Sequence, residues 1–170
     1  SISREITTDG AKKENLLNSN FQQKDDKYTI IGNDNNIQPY VVIDLLRITD
    51  ITSIRLFGVP NSKDSMEGLI VKLFDSVDNL PLKNNRSVWN SGVDSQNGGL
   101  TSDKISEGVK EFLFHSENRD SSTGLPNNVK YIWIGFENRP EKEHLQIGGI
   151  KIYDDNDEQL NTTLGNHRSQ

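Results

Sequence analysis

The chain has 170 residues, one domain's worth, of which 32% are hydrophobic, and its mean hydropathy is −0.70. Lys and Arg number 19 against 25 Asp and Glu, a formal net charge of −6, which repels phosphate backbones and anionic headgroups and sets nucleic acid and anionic membrane aside as partners. The absence of cysteine excludes disulfides, thiolate catalysis and cysteine-held metal centres.

No apolar run of about 18 residues exists, so no transmembrane helix is expected. The opening "SISREITTDG" carries no signal-peptide core. Three explanations stay open: a leader already removed, a piece of a longer chain, or a protein not exported by that route.

In chain order, "DGAKKENLL" (9–17) predicts a short helical turn with Asp9 as its cap. "YVVIDLL" (40–46) and "SIRLFGV" (53–59) read as strands joined by a polar hinge, Arg47–Ser53. Asp44 interrupts the first apolar run. It reads as a solvated or capping acid rather than a catalytic one. "LIVKLFD" (69–75), "SVWN" (87–90), "KEFLFHS" (110–116), "KYIWIGFE" (130–137) and "IGGIKIYD" (147–154) continue the pattern of short, β-branched, alternating segments. Clusters such as "GNDNN", "PNSKDSMEG", "ENRDSSTGLPNN" and "ENRPEKEH" separate them as turns and loops. Many short strands with polar spacers predict an antiparallel β-sandwich or barrel over 1–155. The remainder, 156–170, has little to bury and reads as a polar tail or linker.

Enzyme signatures are missing. His115, His144 and His167 fall in no metal-protease pattern, and there is no nucleophile elbow, phosphate loop or dinucleotide fingerprint. A non-catalytic protein is therefore expected. In "KYIWIGF", Ile132 and Ile134 alternate with Tyr131 and Trp133. If the isoleucines face the core, Tyr131 and Trp133 point outward, either beneath an extra segment of the chain or as a contact patch for another protein.

Four stretches together resemble the galactose-binding-like domains of the discoidin and coagulation-factor C type: "ENLLNSN" (14–20), "PYVVIDLLRITDITSIRLFG" (39–58), "LIVKLFDSVDN" with "SVWNSG", and "NNVKYIWIGFEN" with "IGGIKIYD". The chain differs at Leu46, where the family places Gly, at Asn18 and Ser19, where it places Asp-Gly, and before Pro39, where its Trp is missing. The resemblance implies an all-β jelly-roll sandwich of about eight main strands with long loops. It implies recognition of a glycan, lipid headgroup or protein through loops at one end, without catalysis.

The resemblance also implies residues. A structural calcium ion would draw on Asn18, Asn20 and Asp154, since calcium takes six to eight oxygen ligands. The family's fucose-binding members use a His and two Arg. The matching loop here offers Asn61, Lys63, Asp64 and Glu67 and no Arg. Sugar binding needs a flat ring for the C–H face and polar groups for the hydroxyls. Candidates are Phe21, Tyr28, Asn61, Lys63, Arg139 and His144. The expected role is a glycan-binding module with neighbouring domains in an extracellular, cell-surface or virion protein. The alternative is a protein-interaction domain in an assembly.

Overall fold

The computed structural model describes residues 2–6, 13–17, 28–33, 38–59, 68–75, 87, 89–91, 101–104, 109–113, 128–136, 144–154, 156 and 158–164, with backbone alone at 101–104 and 109–113. Its strands are β1 (Glu5–Ile6), β2 (Thr29–Gly32), β3 (Tyr40–Thr49), β4 (Ile51–Gly58), β5 (Ile70–Phe74), β6 (Trp89–Asn90), β7 (Thr101–Lys104), β8 (Val109–Leu113), β9 (Val129–Gly135), β10 (His144–Asp154) and β11 (Thr163–Leu164). One 3-10 turn spans Lys13–Asn15. All strand pairs are antiparallel, forming a six-stranded sheet ordered β1-β2-β10-β4-β8-β7 and a five-stranded sheet ordered β11-β3-β9-β5-β6.

Alternation explains the layering. Val41, Ile43 and Leu45 of β3, Ile132 and Ile134 of β9, and Val71 and Leu73 of β5 project to one face of the five-stranded sheet. They meet Ile31, Ile54, Leu56, Leu145, Ile147, Ile150 and Ile152 from the other sheet in a fully buried core. Two packed sheets with an apolar interlayer are the architecture that the sequence rhythm implies. Eight strands are four residues or longer, and the three two-residue strands β1, β6 and β11 lie at or beside sheet edges.

Two sequence expectations change. The polar hinge Arg47–Ser53 shrinks to Asp50 alone, because β3 runs through Thr49 and β4 starts at Ile51. A register shift between Asp44 and Thr49 absorbs the corner. Asp44 itself accepts a hydrogen bond from the Leu46 amide at 2.7 Å and pairs with the Lys130 ammonium, so it is a capping acid.

The boundary at 155 also moves. Leu160 donates its N–H to the Ile152 carbonyl at 2.8 Å, and β11 pairs with Ile43 and Asp44 of β3. Leu160 and Leu164 pack against the main core. The sandwich therefore extends to Leu164, and residues 165–170 lie outside the described part. Asp9, the expected cap, is also outside it. The amide of Lys13 donates to Oε2 of Glu5.

The outer face of the five-stranded sheet carries Trp133. It does face away from the main core, as the alternation demands. Yet it is only 7% exposed, within a second apolar cluster of Tyr40, Val42 and Phe74, with Ile70 and Tyr131 packed alongside. Its ring lies against Gly135, where an added Cβ would stand 2.7 Å from it. Tyr131 and Trp133 thus belong to a small second apolar cluster on the outer face, where the alternation places them.

Candidate functional site

Strand register defines the two ends of the sandwich. Tyr40 pairs with Gly135, which also pairs with Ile70, and His144 pairs with Gly32. The connections after β2, β4 and β9 therefore leave from one end. At the opposite end stand Asp50, Asn128 and Asp154.

The loop end is tied together by the N-terminal segment. Ser3 accepts a hydrogen bond from the Tyr40 amide at 3.1 Å and donates one to the Gly32 carbonyl at 2.6 Å. One hydroxyl thus joins the end of β2 in one sheet to the start of β3 in the other. The next residue, Arg4, accepts from the Gly32 amide through its carbonyl and donates Nε–H to the Asn33 carbonyl at 2.9 Å. Its guanidinium lies over Gly32, with a terminal nitrogen 2.7 Å from where a Cβ would be. Only glycine leaves room for that group. Nearby, Oε1 of Gln38 is buried with no hydrogen-bond partner, which leaves an unused acceptor at the loop root.

The expected ligand residues distribute unevenly on this frame. His144 is exposed at the loop end, on the outer face beside Gly32. Asn61, Lys63 and Arg139 lie outside the described residues, although the flanking positions Val59, Gly68, Phe136 and His144 stand at this end. Phe21 is also outside them. Tyr28 is half-buried at the start of β2, and its carbonyl accepts from the Asn15 amide group at 3.0 Å. Four steps along the strand separate it from Gly32, about 13 Å at the usual rise. Tyr28 and His144 are therefore not neighbours at the tips. Sequence reasoning missed Ser3 and Arg4, because a serine and an arginine in an unpatterned N-terminal stretch carry no periodic signal.

Asp154 is 8% exposed at the opposite end. Its Oδ1 accepts the amides of Asn156 and Glu158, both at 2.9 Å, closing the turn that leads to β11. That oxygen is already occupied by protein donors. Leu16, which leads into Asn18, is bonded through its carbonyl to the Ile150 amide, four residues from Asp154 along β10. Asp154 thus caps this turn, and Asn18 and Asn20, the other expected calcium ligands, lie outside the described residues. Among the described residues no group of three or more His, Asp or Glu side chains is placed to hold a metal ion.

A concavity lies at that opposite end. It is an open cleft of about 360 Å³ bordered by Leu45, Leu46, Arg47, Asp154 and the Glu158–Asn161 segment. Leu46 and Ile48 beside it are 61% and 60% exposed. No helix among the described residues is long and apolar enough to cross a membrane.

No family model and no curated protein matches the chain. Solved structures do. The lectin domain of lectinolysin complexed with Lewis B antigen has a TM-score of 0.59 at 13% identity, covering 91% of both chains. A histidine-substituted form of that domain, complexed with Lewis b, has a TM-score of 0.57 at 13% identity, covering 89% of this chain and 88% of the other. An F-lectin (fucolectin) from striped bass (Morone saxatilis) serum has a TM-score of 0.57 at 15% identity. The match takes in 91% of this chain but only 45% of the fucolectin. With the sheet order and the interlayer core, these likenesses establish that the chain adopts the galactose-binding-like, discoidin-like β-sandwich fold.

Proposed function

We propose that this domain is a non-catalytic glycan-binding module whose ligand sits at the loop end. The observation that carries the reading is the braced end itself: Ser3 and Arg4 lock the roots of the β2–β3 connection, on the fold shared with lectin domains that bind Lewis B antigen. A rigid frame beneath recognition loops lowers the ordering cost of binding. The reading extends to a role within a larger surface, secreted or virion protein, in which the domain directs its neighbours to a glycosylated target.

The test is a glycan array with the purified domain, followed by titration calorimetry on each binder. Micromolar binding that is lost in His144→Ala, with an unchanged melting temperature, supports the assignment. A well-folded domain that ignores every glycan class on the array overturns it.

A further inference from the structure

The chain as a whole is negative, yet one point of the loop end carries the opposite sign. Gly32 is the middle of a row of three. Arg4 lies beside it on the edge, and His144 lies across from it on β10. Antiparallel partners project to the same face. Leu145 and Ile31 fill the core, so His144 and the position of the missing Gly32 side chain face outward. The Arg4 guanidinium occupies that vacant space. Two interstrand spacings set the Arg4 and His144 backbones about 10 Å apart, and the guanidinium leans into the gap between them.

The arginine is held before any ligand arrives. Its Nε–H is committed to the Asn33 carbonyl, which fixes the plane of the group and leaves the terminal N–H donors on an exposed side chain. No carboxylate among the described residues pairs with it. Glu5, next in the chain, alternates to the other face, where its Oε2 accepts the Lys13 amide. A fixed, unpaired guanidinium fork beside a ring N–H donor matches a planar or tetrahedral oxyanion.

We propose that Arg4 and His144, facing each other across Gly32, form a recognition point for an acidic sugar, one bearing a carboxylate or a sulfate ester. This rests on the glycan-binding reading above and narrows its ligand class. The absence of a side chain at residue 32 is part of the site, because it lets the guanidinium lie flat between its two neighbours.

The experiment compares matched neutral, sialylated and sulfated glycans by calorimetry, using wild type, Arg4→Gln, His144→Gln and Gly32→Ala. Residue 32 has no positive φ, so alanine strains only its packing, by displacing the guanidinium and crowding Ile6. Wild type should favour at least one acidic class over its neutral counterpart by about tenfold. Arg4→Gln and Gly32→Ala should both erase that preference while melting cooperatively. The sialylated and sulfated arms distinguish carboxylate from sulfate as the anion. Equal binding of neutral and acidic glycans, or a preference that survives Arg4→Gln, overturns this inference and leaves the glycan reading standing. A folded domain that binds nothing in any arm overturns both.

Discussion

Leu46 is held at φ = 70°, in the left-handed region that side chains with a Cβ resist, and it is largely exposed. The Asp44 carboxylate fixes this conformation by accepting the Leu46 amide. Glycine adopts this backbone angle without the Cβ clash. Leu46→Gly should therefore stabilise the domain by roughly 0.5–1 kcal/mol, once the extra freedom of glycine in the unfolded chain is subtracted. A urea titration measures it, and a loss of stability would contradict the account. Asp154 is the second informative residue. Removing its carboxylate in Asp154→Ala strips two amides in a buried turn and should cost about 2 kcal/mol. Because the carboxylate serves the turn, the cost should be equal in calcium and in chelator. A cost confined to calcium-containing buffer would instead assign this side chain a metal role.

At the scale of elements, the C-terminal segment makes the clearest commitment. Truncation after Asp157 removes the Leu160–Ile152 bond, the β11 pairing and two half-buried leucines. It should lower stability by about 2–4 kcal/mol, whereas removal of a mere linker would change nothing. Differential scanning calorimetry separates the two. This segment was illegible in the sequence because its apolar content is Leu160 and Leu164 amid Asn, Thr and Gln, with a strand of two residues. The long strands were legible for the opposite reason: the Tyr40–Leu45 and Val129–Gly135 runs are long and rich in β-branched and aromatic residues. β2 and β7 were missed. The first is a brief continuous apolar run, TIIG, and the second, TSDK, has no apolar residue. Of the two candidate ligand residues among the described ones, His144 is exposed at the loop end and Tyr28 is half-buried away from it. The outer cluster carries its own prediction. Lys72 stands 4.9 Å from the Trp133 ring, and burial pushes its ammonium below the usual 10.5. The unfolded chain then binds more protons than the folded one between the lowered value and 10.5, so Lys72 makes stability rise with pH across that window. Lys72→Met should flatten this rise, with its relative gain largest below the window and shrinking as pH climbs through it. Denaturation midpoints at a series of pH values read the slope directly.

Across the whole molecule, the two ends are separate structural problems joined by one rigid layer. β3 runs ten residues from Tyr40, bonded to Ser3, to Thr49, next to the exposed corner at Leu46 and Ile48. That is about 30 Å of strand at the usual rise. Strain at the corner is absorbed locally by the register shift after Asp44, and the core rows between the ends are fully buried and tightly constrained. Substitutions at opposite ends share no partner, so their free energies should add. Leu46→Gly should raise stability without altering ligand affinity by more than about twofold, and Arg4→Gln should lower affinity for acidic glycans by the same factor in either background. A four-member cycle of wild type, both single variants and the double variant, measured by denaturation and by calorimetry, is expected to show coupling within about 0.5 kcal/mol on both axes. Larger coupling would mean that the corner and the loop end move together, and the separation of a braced recognition end from a tolerant opposite end would then fail.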